Sequence, residues 1–259
     1  SSYEIDIFIR NDLTATSSST SSTTSKSFTS LSAGDYNARV RAVYGDGTKG
    51  PWGWNVISRL IGSTLVLQSD FENYTGLINA GYTSEVGAST FIQQPSQTNP
   101  SAHSSVANGR FFSNSSASRS AYQATAITPG SANYTVGGFV SCRSLTTTGQ
   151  IGVCGRMASG ADTYYFARYT DNAGFSLFKR VATTNTQIGV SYSRILQVDE
   201  IAKLELVMNG TTITMLVDGV SRATGTDSAI ASAGKPGMYT AGVDASATAG
   251  CHLDSLYMI

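Results

Sequence analysis

The sequence predicts an all-β protein, on three observations. Apolar residues recur at a period of two along short segments, as on a half-buried strand. Turn pairs such as Asp46-Gly47, Asn209-Gly210 and Asp218-Gly219 punctuate those segments. Such pairs supply the positive φ that tight hairpins need. No stretch carries a sustained 3.6-residue period with caps, and "DSAIASAG" (227–234) offers one helical turn at most. Short strands with closely spaced turns make a sandwich or a barrel.

Taken in order, "YEIDIFIR" sets Ile5, Ile7 and Ile9 on one face of a first strand. The Ser/Thr-rich tract 17–30 reads as a flexible loop or an exposed edge strand. "NARVRAV" alternates Ala38, Val40 and Ala42 against Asn37, Arg39 and Arg41, and Asp46-Gly47 turns it. Residues 96–120 are polar and weakly patterned, more like long surface loops than strands. "TYYFARYTDN" (163–172) alternates two sets, Tyr164, Phe166 and Arg168 against Tyr165, Ala167 and Tyr169, and one set must face the core. "KLELVMNGTTITMLVDGV" is the clearest hairpin. Leu204, Leu206 and Met208 run up to Asn209-Gly210, and Ile213, Met215 and Val217 run down to Asp218-Gly219.

At 259 residues, 41% of them hydrophobic, the chain can hold a real core in one large or two small domains. Seventeen basic and seventeen acidic residues cancel, and no basic stripe exists to follow a phosphate backbone, so nucleic acid is not expected as a partner. Charged residues are 13% of the chain, about half the usual share. Ser, Thr, Asn and Gly must confer solubility instead, a composition common in extracellular and virion-surface β proteins. With no long apolar run, membrane insertion is not expected. The chain opens directly on strand-like sequence and reads as part of something longer.

The cysteines are Cys142, Cys154 and Cys251. The first two flank a Thr/Gly turn; a hairpin there would set them opposite each other, within reach of a disulfide. The alternative is two small buried thiols, since one cysteine is left over. His103 and His252 lie far apart, and no cluster has zinc spacing.

Two family resemblances organise these elements. Leu31, Gly34 and Tyr36 stand where fibronectin type III domains carry a leucine, a glycine and the tyrosine-corner residue, and "RVRAVYGDGTKGPW" matches their last hairpin. Residues 1–56 thus resemble such a domain without its first two strands, within a first domain spanning 1–61. In its short "AGDY" approach and "GPW" ending it is similar to domains of the tail-tip host-specificity proteins of long-tailed phages. Residues 62–259 resemble concanavalin A-like or laminin-G-like lectin sandwiches, which implies a jelly-roll β-sandwich. The motifs that carry this, in order, are Asp70-Phe71, "GQIGVCGRM", "TYYFARYTDNAGFSLFKRV", "IAKLELVMNGTTITMLVDGV", "DSAIASAGKPGMYT" and "HLDSLYMI".

The fold hosts binders, hydrolases and spacers alike, so the chemistry has to come from residues. Glycoside hydrolysis needs two carboxylates across the bond, about 5–9 Å apart. Of five glutamates, Glu200 and Glu205 are the closest pair, and their odd spacing puts them on opposite faces of one strand. With two histidines and no Gly-x-Ser-x-Gly, a Ser/His/Asp triad has no support either. No catalytic residue is expected. Asp70 and Asp254, in the first and last strands of the lectin-like part, are the residues through which calcium would bind. Such residues more often end strands or bond local backbone, so no metal or cofactor is assigned. Sugar recognition uses aromatic faces for the ring and amide or carboxylate groups for hydroxyls. The richest such cluster is Tyr165, Arg168, Tyr169, Asp171 and Asn172.

The resemblances together imply a non-catalytic, receptor-binding part of a phage tail-tip or tail-fibre protein, located in the virion. Its partners would be a host cell-surface glycan or protein, the upstream part of its own chain, and other copies of itself. The alternatives are a carbohydrate-binding or adhesin module of a secreted bacterial protein, and a structural virion spacer.

Overall fold

A computed structural model describes residues 2–9, 17–22, 36–50, 53–55, 66–69, 71, 74–78, 80–84, 86–94, 104–107, 110–113, 119–143, 149–242, 246 and 249–259. All regular structure among them is β. The chain divides into two compact units, Ser1–Thr64 and Leu65–Ile259.

The first unit contains β1 (Ser2–Ile9), β2 (Ser17–Ser21), β3 (Tyr36–Val43) and β4 (Gly53–Asn55). They form one antiparallel sheet in the order β2-β1-β3-β4. Ile5 sits opposite Val40 and Ile7 opposite Ala38 in the β1–β3 register. Ile5 and Ile7 are half-buried and Val40 is exposed. The start of the Ser/Thr tract is the edge strand β2, where serines and threonines leave an open edge polar. Leu31, Gly34 and Trp52 lie outside the described residues.

In chain order the second unit contains β5 (Leu67–Ser69), β6 (Gly76–Leu77), β7 (Phe91–Gln93), β8 (Ser104–Ala107), β9 (Arg110–Ser113), β10 (Ser120–Ala124), β11 (Tyr134–Cys142) and β12 (Gln150–Met157). There follow β13 (Tyr164–Thr170), β14 (Gly174–Val181), β15 (Thr184–Gln187), β16 (Ile201–Asn209), β17 (Thr212–Val217), β18 (Val220–Thr226), β19 (Lys235–Ala241) and β20 (Cys251–Met258). One sheet runs β15-β14-β13-β12-β19-β10-β7; the other runs β18-β17-β16-β11-β20-β9-β8-β6, with β5 also paired to β20. The unit is a β-sandwich of the lectin-like jelly-roll class. Val136, Val140, Leu204, Leu206, Met208 and Leu253 from one sheet meet Tyr122, Ile151, Val153, Ala167, Leu177 and Met238 from the other in a dry core.

The β16–β17 hairpin carries the predicted alternation, with Leu204, Leu206, Met208, Ile213, Met215 and Val217 all buried. Its turn sits one residue later than the Asn-Gly signal suggests. Asn209 pairs with Thr212, leaving Gly210 (φ 56°) and Thr211 as the loop. At β17–β18 both Asp218 (φ 52°) and Gly219 (φ 77°) take positive φ, the type I′ turn expected of that pair.

Two expectations are corrected and a third, an upper bound, is narrowed. Residues 104–107 and 110–113 are the paired strands β8 and β9 rather than loop, with Ala107 opposite Arg110; the sequence carries an Asn-Gly turn signal at 108–109 that its polar surroundings obscured. Residues 227–234 contain no helical turn. Cys142 and Cys154 do not face each other across a hairpin, because β11 and β12 belong to different sheets. Cys142 points into the core between the sheets, whereas Cys154 belongs to the opposite face of the seven-stranded sheet.

Candidate functional site

Strand parity splits the residues that the sequence singled out. Tyr165 and Tyr169 point inward and are fully buried. The Tyr165 hydroxyl donates to Asp227 Oδ1 at 2.7 Å and accepts from the Ile230 N–H at 3.3 Å. Burial, reinforced by the Asp227 carboxylate, pushes its pKa up to about 12. The Tyr169 hydroxyl accepts from the Leu196 N–H at 3.1 Å, and burial raises its pKa as well. Neither ring reaches a ligand. Asp171 is buried at the β13–β14 turn and Asn172 is exposed there at φ 61°. Of the five, only Arg168 lies on the outer face of the seven-stranded sheet, with Tyr164 and Phe166.

That outer face is assembled from alternate positions of neighbouring strands. Register places Phe166 between Cys154 and Phe178, and Arg168 beside Ser176. Phe166 stacks on Tyr239 (centroids 4.7 Å apart, planes at 23°) and on Phe178 (5.4 Å, 17°). Tyr164 meets Phe166 edge-on at 5.6 Å. Tyr164 and Phe166 are fully buried and Tyr239 nearly so, while Phe178, Arg168 and Gln150 are half-buried. The three half-buried residues form the accessible rim of an aromatic floor.

The rim is polar and pre-arranged. The Arg168 guanidinium lies 4.5 Å from the Phe178 ring centroid, a cation–π contact. Its Nη1 donates to Gln150 Oε1, and Nε reaches Ser176 Oγ at 3.4 Å. The Tyr239 hydroxyl donates to the same Gln150 oxygen at 3.1 Å. Burial raises the Tyr239 pKa, and the charges of Arg168 and Arg119 pull it part of the way back. Farther along the face, Arg180 is paired with Asp162, both fully buried, and Gln94 bonds Gln123 at 2.6 Å. Tyr164 Oη is buried with no hydrogen-bond partner, and burial pushes the Tyr164 and Cys154 pKa values well up.

A cleft of about 230 Å³ beside the turn of the β16–β17 hairpin is the rival location, lined by Ala132, Arg156, Gly210, Thr211 and Asp227 among others. Its two charged groups already have partners. Arg156 donates to the carbonyls of Ala132 (3.0 Å), Ile230 (2.8 Å) and Gly210 (2.7 Å). Asp227 binds Lys179, the Tyr165 hydroxyl and the Ala229 N–H. This arrangement clamps loops together.

Among the described residues, Glu200 and Glu205, the pair closest in sequence, are each engaged by other partners. Glu205 accepts from the Tyr257 hydroxyl at 2.7 Å and pairs with Lys203 at 3.1 Å. Glu200 precedes β16 and binds Arg194 at 2.6 Å. Burial alone would raise its pKa, but the bonds from Arg194 and the Gln197 N–H outweigh that and hold it below the usual value. Among the described residues no group of three or more His, Cys, Asp or Glu could hold a metal. Asp70 and His103 lie outside them; Asp254 is on β20, whose neighbour is β5 as expected.

Sequence reading missed Gln150, Ser176, Phe178 and Tyr239. Ser176 and Phe178 were within reach, since "GFSLFKRV" alternates them against Phe175 and Leu177. Gln150 and Tyr239 were not: β12 and β19 are neighbours only through the sheet order, which connects segments far apart in sequence.

No family model matches the chain, and no curated protein matches it in sequence. Solved structures resemble it in fold. One, from work on human gut microbiota endo-acting O-glycanases that initiate mucin breakdown, has a TM-score of 0.51 at 7% identity and covers 76% of this chain and 99% of that one. The carbohydrate-binding module CBM66 from Bacillus subtilis (TM-score 0.45, 16% identity) covers 56% of this chain and 83% of its own. Domain 4 of an extracellular GH43 arabinanase from Geobacillus stearothermophilus, solved with arabinotriose (0.48, 16%), covers 75% and 91%. The likeness is one of fold: a lectin-like β-sandwich.

Proposed function

We propose that the protein is a non-catalytic glycan-binding module that uses the outer face of the seven-stranded sheet. The observation that carries this reading is the rim itself. A guanidinium stands over the half-exposed Phe178 ring, 4.5 Å from its centroid, flanked by an amide and two hydroxyls. A sugar presents an apolar C–H face and a rim of hydroxyls, and this rim offers an aromatic surface and a donor–acceptor fork to match. The fold is compatible with binding and with hydrolysis. The carboxylates favour binding, because Glu200, Glu205, Asp162 and Asp227 are each held in an ion pair.

The finer reading is host recognition at a phage tail tip, with the protein in the virion. It is supported by the likeness of residues 1–56 to tail-tip fibronectin type III sequences. Weak single sites would be strengthened there by several copies acting together. A carbohydrate-binding module of a secreted bacterial protein fits the same face equally well.

The test is binding of the whole chain to an immobilised panel of bacterial surface polysaccharides and plant and mucin glycans. Arg168→Ala and Phe178→Ala serve as site variants. A hit weakened about ten-fold or more by both, roughly 1.4 kcal/mol, with melting temperature nearly unchanged, supports the site. Binding unaffected by both variants overturns it. Release of reducing ends would overturn the non-catalytic reading. If the chain blocks phage adsorption to a host, the tail-tip reading holds; if it binds only plant or mucin glycans, the secreted module replaces it.

A further inference from the structure

We propose that Cys142 and Cys251 form a disulfide under oxidising conditions, bolting the last strand of the sandwich to the middle of its sheet. The two residues are direct partners in the antiparallel β11–β20 register. The Arg143 N–H donates to the Gly250 carbonyl at 2.9 Å, so the pair one step outward is the hydrogen-bonded one. Cys142 and Cys251 therefore occupy a non-hydrogen-bonded position. The carbonyl of Cys142 agrees with this: it turns away from β20 and accepts from the Asp199 N–H at 2.7 Å. At such positions Cα atoms stand about 4.5 Å apart and the side chains approach most closely. A disulfide needs Cα atoms roughly 4.4–6.8 Å apart. Both side chains point into the inter-sheet core, at 0% and 4% exposure, and Cys251 Sγ also contacts the Gly149 carbonyl at 3.6 Å. Cys154 is excluded as a partner, since it lies in the other sheet and on its outer face.

The chemistry balances with a low-molecular-weight disulfide such as oxidised glutathione as the oxidant. One cysteine thiolate attacks it, forming a mixed disulfide and expelling one glutathione thiolate. The second cysteine thiolate then attacks the protein sulfur of that mixed disulfide, forming the Sγ–Sγ bond and expelling the second glutathione thiolate. The cysteine pair loses two electrons and two protons, and glutathione disulfide becomes two thiols. The hydrogen bond with the neighbouring Cys142 thiol, with burial behind it, raises the Cys251 pKa, so exchange is slow in the closed sandwich. The bond forms during folding or when β20 opens. It would close a loop of about 110 residues between the two positions, a length at which the unfolded chain loses much of its freedom.

The test uses the whole chain, refolded either with a glutathione redox buffer or with excess reductant, and thiols are then counted in denaturant. The expected result is one reactive thiol after oxidation against three after reduction, with a peptide map joining Cys142 to Cys251. Oxidation should raise the melting temperature by on the order of 10 °C. Cys154→Ser should keep that rise and Cys251→Ser should lose it. Three thiols after oxidative refolding, a bridge that includes Cys154, or a Cys142–Cys251 bridge that lowers the melting temperature would each overturn the proposal.

Discussion

Replacing Asp162 by Asn should destabilise the second unit by about 3–4 kcal/mol. Asp162 and Arg180 form an ion pair on the outer face of the seven-stranded sheet, with side-chain exposures of 3% and 1%. At roughly 3 Å separation and an effective dielectric near 20, two unit charges attract by about 5–6 kcal/mol. The asparagine leaves the guanidinium buried without a counter-charge. Arg180 keeps two neutral acceptors, the Thr183 carbonyl and Asn185 Oδ1, both at 2.9 Å, which return part of the loss. That places the cost at the low end of the roughly 3–5 kcal/mol typical of a broken buried pair. The double variant Asp162→Leu with Arg180→Met removes both charges and should fall much closer to the parent. Urea unfolding provides the assay, and the probe matters. Both tryptophans, Trp52 and Trp54, belong to the first unit, so indole fluorescence reports on the wrong one. Tyrosine near-UV circular dichroism follows the sandwich. If Asp162→Asn stays within about 1 kcal/mol of the parent, or if the double variant is as unstable as the single one, the pair does not compensate buried charge and the reasoning fails.

Two further outcomes follow from the nine-stranded sheet. A Cβ at Gly137 would stand 2.3 Å from the Tyr257 ring and hydroxyl, whose bond to Glu205 would break; Gly137→Ala should cost about 2–4 kcal/mol as a shift of the urea midpoint at constant slope, and an unchanged midpoint would show that the sheet gives way freely. His252 is buried, and desolvation, helped by Arg110 and Arg143, lowers its pKa to about 4 although its Nε2–H donates to the Ser246 (2.7 Å) and Ala249 (2.9 Å) carbonyls. Its folded pKa lies below the unfolded value near 6.5, so between those values only the unfolded state takes up the proton. Stability from this residue is complete above about pH 6.5, falls by about 3 kcal/mol towards pH 4, and is flat below; His252→Gln should lack this loss, so the wild-type-minus-variant stability difference should fall by about 3 kcal/mol between about pH 6.5 and 4, and identical pH profiles would refute the assignment.

The strands were legible because alternation is a local property. "YYFARYT" announces two faces whatever lies beside it, and the β16–β17 hairpin carries its own turn signal. What lies beside a strand is not local. The Tyr165, Arg168 and Tyr169 cluster drew on both faces of one strand, and parity then divided it. Cys142 and Cys154 looked like hairpin partners at twelve residues' separation in sequence, yet a jelly roll passes the chain from one sheet to the other at that point. The partner that does face Cys142 lies more than a hundred residues downstream, where no local pattern points to it. Gln150 and Tyr239 escaped notice for the same reason.

The outer face also departs from the usual division of an antiparallel sandwich, in which the sheet's second side is polar and wet. Here Ala121, Cys154, Met157, Tyr164, Phe166, Tyr239 and Ala241 form a second buried cluster with Phe178 packed against it. Charged and amide side chains among these rings are tolerable only where they are partnered. Arg180 is held by Asp162, Gln94 by Gln123, and Arg168 by Gln150 and Ser176. The same bonds that make burial tolerable also fix rotamers. A guanidinium already standing over Phe178 and bonded to Gln150 and Ser176 loses little freedom if a ligand arrives, which lowers the entropic cost of a shallow contact. The aromatic floor and the polar rim are therefore one construction: the packing around Phe166 is what holds Arg168 in place on the face proposed for glycan binding.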